Sequence, residues 1–335
     1  MNKICSYGVL ICFIQSFNIY GQDINTILDA YSTKKVDYLE KTWCHEGYWG
    51  EAKEKKDNRF NEAILIYSLK ENFDNDYYKL RIRKAIFFSI RHLQDSITGG
   101  FYENNRPNHV RTSLFLNAIA TVISKHPEIY ENLEVQSSIH RAVKFISTPQ
   151  EFSSNHNLAA LMSLSKLHEV TCDNVFADLL KEYREVIIKD FIFDQDYKSG
   201  YWPEAPKRWK NRLNVPYLLV QLMFVQQYLQ TNKKEDEKID KLYKAQLRKL
   251  SSLVNYKNFT LDVRQSYGKF KNKDIKFIKF SVPSIFFNSS MIDRIPLDNR
   301  KEFLLKCLER FDNDIKKYPA LLNSDLYYRF LIINK

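Results

Sequence analysis

Residues Ser153–Leu167 read SSNHNLAALMSLSKL, a stretch that carries no charge until Lys166. Its apolar residues are too densely placed for a helix with one wet face, so the segment predicts a helix enclosed by other helices. The polar Asn155-His156 pair stands at its N-terminal mouth. The same arrangement recurs along the chain. NRFNEAILIYSL begins at Asn58, NHVRTSLFLNAI at Asn108, NHNLAALMSL at Asn155 and NVPYLLVQLMFV at Asn214, at intervals of 50, 47 and 59 residues, and weaker copies follow at VPSIFFNSSM from Val282 and NSDLYYRFLI from Asn323. Six copies at a spacing of roughly 50 residues mark a repeat architecture in which each unit buries its apolar helix against its neighbours.

Between these copies lies a second set of segments with apolar residues at three-to-four spacing and charges between. They run over 24–43, 77–93, 133–147, 175–189, 233–254 and 297–318. In the second of them Leu80, Ala85, Ile86, Ile90 and Leu93 share one face, while Arg81, Arg83, Lys84 and Arg91 occupy the others. That periodicity predicts amphipathic helices exposed on one side. Six amphipathic helices alternating with six apolar ones predict an all-α (α/α)6 toroid, an inner ring wrapped by an outer ring. Pro127, Pro149, Pro296 and Pro319 fall at the joints, where a residue without an amide costs least.

Composition agrees with one large core. Hydrophobic residues make up 44% of the 335, and 8 Gly with 9 Pro leave no room for a low-complexity linker. The first 22 residues read as a signal peptide: Lys3, an apolar run from Tyr7 to Phe17, then Gly21 before Gln22. The expected organisation is therefore a signal peptide over 1–22 and a single toroid over 23–335. No transmembrane segment is expected after signal removal, and a periplasmic or secreted protein is. Export also changes the meaning of the +11 net charge. It fits an anionic polysaccharide or surface at least as well as nucleic acid, because a positive field concentrates any polyanion, and in an exported protein no nucleic-acid partner is expected. Cys44, Cys172 and Cys307 are too far apart in sequence for a disulfide framework or a metal cluster, so no metal or other cofactor is expected.

The loops entering the inner helices repeat as well. GYWGE (Gly47–Glu51), GGFYE (Gly99–Glu103) and GYWPE (Gly200–Glu204) each place Gly, an aromatic and Glu at matched offsets. Trp49, Phe101 and Trp202 are candidates for sugar-stacking platforms around one mouth of the ring. The alternative is that they plug gaps between neighbouring hairpins.

Two resemblances follow from these residues. AIFFSIRHLQDSITGGFYE resembles the Gln-then-Gly-x-aromatic repeat of terpenoid-cyclase and prenyltransferase toroids. That likeness implies the ring but not the chemistry, since DNDYY and DQDYK are only fragments of an Asp-rich acid motif. SSNHNLAAL followed by GYWPEAPKRWKNRLNVPYLLVQL is similar to toroid-fold polysaccharide lyases, the alginate lyases in particular. The likeness implies Asn155, His156, Arg208 and Tyr217 as catalytic residues, with Arg212 as the alternative to Arg208. β-Elimination on a uronate needs its carboxylate neutralised before the adjacent C5 proton can leave. An Asn donor and a forked guanidinium would do this, and His and Tyr would divide the base and acid roles. His109, in the matching Asn108-His109 pair, is the rival histidine, with Arg111 one turn on. Arg111, Arg212 and Glu204 complete the expected substrate-binding set. The leading expectation is a lyase acting on a uronate-containing glycan. A glycoside hydrolase using two of Glu51, Glu103 and Glu204, or a non-catalytic glycan-binding toroid, are the alternatives.

Overall fold

The computed structural model describes residues 36–37, 39–49, 64, 75–103, 105–151, 153–204, 212–232, 236–255, 260–264 and 277–279. Within them the chain alternates between two kinds of helix. Helices α1 (Asp76–His92), α3 (Leu133–Phe145), α5 (Asn174–Asp190) and α7 (Glu237–Leu253) are amphipathic, while α2 (His109–Ile123), α4 (Ser154–Thr171) and α6 (Val215–Asn232) are apolar. The inner helices pack on one another in order, α2 on α4 and α4 on α6, and the outer ones cover them: α3 on α2, α5 on α4 and α7 on α6. This is the all-α inner-and-outer ring the sequence predicts. Of the expected helix over 24–43 the described residues 36–37 and 39–41 are helical, as is Ile64 of the one expected from Arg59; the expected helices from Val282 and Ser324 and over 297–318 lie outside the described residues.

The boundaries follow from capping chemistry. Each outer helix starts behind an Asn or Asp whose side chain takes up a free amide: Asn75 from Tyr77, Asn132 from Glu134 and Val135, Asp173 from Val175, and Asp236 from Ile239. Asn108 does the same for α2, accepting from the Arg111 amide. Helix α4 differs. It opens at Ser154, two residues before His156, and its N-cap Ser153 makes no side-chain capping bond. Asn155 therefore sits inside the first turn and is not the cap.

Residues joining the helices form short antiparallel hairpins, Trp43–Cys44 with Tyr48–Trp49, Tyr102–Glu103 with Arg106–Pro107, and Ile192–Phe193 with Gly200–Tyr201. A three-stranded meander over Val254–Asn255, Thr260–Asp262 and Phe277–Lys279 follows α7. The helical repeat gives no signal for it. Two of the hairpins lie directly on an outer helix, and glycine is what lets them. Gly47 has φ +109° and a Cβ there would stand 2.8 Å from the Lys84 carbonyl oxygen of α1; Gly99 has φ +82° and a Cβ would stand 2.4 Å from that of Arg141 in α3. Buried Gln94 locks the second contact, donating to the carbonyls of Gly99 and Ser138 and accepting from Ser138 Oγ and the Arg141 guanidinium.

Candidate functional site

The close descent of the hairpins decides where their aromatics go. Trp49 and Trp202 are each 1% exposed and Phe101 is 4% exposed. Phe101 stacks on Phe115 of α2 with ring centroids 3.7 Å apart, and Trp202 meets Phe191 edge-on and donates its indole N–H to the Ile187 carbonyl at 2.9 Å. The expected sugar-stacking platforms are thus core plugs. No ring face is left for a ligand, because all three aromatics are buried in the core.

The polar ends of the inner helices do converge. His109 and His156, from the first turns of α2 and α4, stack with centroids 5.4 Å apart and planes 18° from parallel. The N-termini of α2 and α4 therefore share one end of the ring. Helix α6 brings Tyr217 to the same end, since its hydroxyl feels the charges of both Glu204 and Glu103. Asn214, just before α6, donates from Nδ2 to Glu204 Oε2 at 3.0 Å. Glu103 faces Arg111 across 3.7 Å. Arg212 is half-buried, and its carbonyl accepts from the Glu204 amide at 3.3 Å. Arg208 and Glu51 lie outside the described residues.

Protonation at this mouth is set by burial. Desolvation, helped by the neighbouring His156, lowers the His109 pKa to about 3, and desolvation alone pulls His156 below its ordinary 6.5. Both imidazoles are neutral at pH 7. Tyr217 is 38% exposed, and burial, then the charges of Glu204 and Glu103, raise its pKa above 10. Its surroundings favour the protonated phenol, so of the two roles that His and Tyr would divide, Tyr217 is suited to donating a proton.

Two further features were not legible in the sequence. Asn155 is 7% exposed and its Oδ1 is buried with no hydrogen-bond partner, which is costly for a group so placed. Tyr183 of α5, buried completely, accepts His109 Nε2 at 3.1 Å and donates its own proton to the Ile146 carbonyl at 2.5 Å. Tyr183 is one of several apolar-face residues of an amphipathic helix, so periodicity reads it as core and gives no hint of its partner.

No protein-family model and no curated protein sequence matches the chain. Solved structures do. A cellobiose 2-epimerase from Bacillus thermoamylovorans B4167 superposes with a TM-score of 0.61 at 11% identity, over 93% of this chain and 100% of that one. A glycoside hydrolase family 76 mannosidase, Bt3792 from Bacteroides thetaiotaomicron VPI-5482, does so with a TM-score of 0.50 at 10% identity, over 92% and 97%. The chain is therefore an (α/α)6 toroid. At these identities the likeness defines the fold alone.

Proposed function

We propose that this toroid is an exported carbohydrate-active enzyme, a polysaccharide lyase that cleaves a uronate-containing glycan by β-elimination at the mouth formed by α2, α4 and α6. The observation that carries the reading is the neutral, stacked imidazole pair at the same end of the ring as a protonated Tyr217. Elimination needs a base already free of its proton and an acid that still has one.

In this scheme His156 takes the C5 proton. The electron pair left behind forms the C4–C5 double bond as the C4–O4 bond breaks, and Tyr217 protonates the departing oxygen. Before that, the substrate carboxylate must lose its influence on C5 acidity. The Asn155 amide and the free amides at the start of α4 favour the dianionic intermediate, and the Arg212 or Arg208 guanidinium would pair with the carboxylate. The +11 net charge favours capture of a polyanion. Both structural neighbours act on carbohydrates by their names, which agrees with a glycan substrate without choosing the reaction.

A hydrolase reading has its own support. Glu103 and Glu204 both act on the Tyr217 hydroxyl, so two carboxylates border one site, the equipment of a glycosidase. One assay separates these readings. The purified protein is incubated with alginate, glucuronan, heparan sulfate, chondroitin and hyaluronan while ultraviolet absorbance of the unsaturated uronate and release of reducing ends are followed together. Absorbance rising with reducing ends is the expected result. Reducing ends without absorbance, abolished by Glu103→Gln or Glu204→Gln, would replace the lyase with a hydrolase. Binding of a polymer with neither signal would make the protein a glycan-binding toroid.

A further inference from the structure

The two stacked histidines are not equivalent. His109 is 6% exposed, its Nδ1 is buried with no hydrogen-bond partner, and its Nε2 is engaged by Tyr183. The Tyr183 hydroxyl has one proton, and at 2.5 Å from the Ile146 carbonyl oxygen that proton must lie between the two oxygens. Its oxygen can then only accept from His109. The network fixes His109 as the Nε2–H tautomer, in a chain that runs from His109 through Tyr183 to the backbone carbonyl of Ile146. Neither ring nitrogen of His109 is open to a substrate. What the ring offers is a face, and His156 lies nearly parallel to it. His156 is half-buried, and its side chain makes no hydrogen bond among the described residues, so its nitrogens are available.

We infer that His156 is the proton-transferring histidine, that His109 is the fixed neutral plate that orients it, and that Tyr183 is the positioning residue that holds the plate. This division rests on the proposed proton transfer, whereas the tautomer of His109 does not. Stacking against a neutral ring holds the His156 plane without adding charge, so His156 can cycle between neutral and protonated forms during turnover. Were His109 free to flip or protonate, it would tilt or repel the imidazolium beside it.

The test uses the full-length protein labelled with 15N-histidine. Long-range 1H–15N spectra place the proton of each imidazole, since Nε2 couples to both ring carbon-bound protons and Nδ1 to one. The expected result is His109 protonated at Nε2, with a slowly exchanging N–H signal that Tyr183→Phe shifts or loses. A proton on Nδ1, or an Nε2–H signal unmoved in Tyr183→Phe, overturns the inference. If Tyr183→Phe does not fold, the wild-type spectrum still decides the tautomer, and position 109 decides the role. His109→Gln keeps an N–H that can reach Tyr183, so it should recover about tenfold or more of the kcat lost in His109→Leu, with KM little changed between them. Equal loss in both variants would make His109 itself the reacting group. If the spectra are as expected but no unsaturated product forms from any polymer, it is the lyase reading that fails, not the tautomer.

Discussion

A buried neutral imidazole makes acid the natural perturbation. Burial depresses the folded-state pKa of His109 from 6.5 to about 3, so the unfolded chain takes up this proton first. The stability that His109 carries is complete above about pH 6.5 and drains away as pH falls toward 3. Linkage between these two values gives a loss of about 2 kcal/mol by pH 5 and a limit near 5 kcal/mol below pH 3, as orders of magnitude. The window from pH 7 to 5 isolates the histidines. Asp95, held at about 2 by the Tyr102 hydroxyl and the Thr98 amide, contributes stability that is lost only as pH drops below the ordinary carboxylate range near 3.8. His156, also lowered by burial, adds loss of the same sign as His109. The assay is urea unfolding followed by helical circular dichroism at pH 7, 6 and 5, on the wild type and on His109→Gln. The slope matters, not the level: the wild type should lose about 2 kcal/mol more than the variant across the window. Parallel losses would refute a neutral, desolvated His109, and with it the protonation argument for the mouth of the ring.

Other substitutions test the remaining assignments. Trp202→Ala removes a core plug and its bond to Ile187, so it should cost about 3–5 kcal/mol in thermal or urea unfolding; near-normal stability with weakened glycan binding would restore the platform reading. Gly99→Ala forces a side chain into a positive-φ site against the Arg141 carbonyl and should destabilise by roughly 2 kcal/mol or more, whereas an unchanged melting temperature would mean the hairpin does not press on α3. If elimination occurs as proposed, His156→Ala and Tyr217→Phe should each lower kcat by about 10²–10⁴-fold with melting temperature nearly unchanged; full turnover in the double variant would remove both from the mechanism. Because His156 must be unprotonated and Tyr217 protonated, kcat/KM should hold level from below pH 6.5 to above pH 10, and an acid limb above pH 7 would contradict the burial of His156.

The sequence by itself determined the ring and much of its register. The apolar runs after Asn108 and Asn214 begin helices at His109 and Val215 as expected, and the amphipathic segments fall within a few residues of α1, α3, α5 and α7. These are local properties, because helix periodicity and capping are written within one or two turns. The mouth was legible for the same reason: parallel inner helices must bring their polar first turns to one end, which joins His109, Asn155, His156 and Tyr217. What tertiary structure decided was direction and protonation. Gly-aromatic-Glu reads alike for a platform and a plug, and only the approach of Gly99 to Arg141, some 40 residues away, presses Phe101 inward. Tyr183 reaches His109 across 74 positions, and Tyr217 is kept protonated by its burial first and then by two carboxylates that arrive on separate loops. A side chain's pKa and tautomer depend on which groups surround it in space and on how much water is excluded, and neither is encoded at the spacing of a helical turn.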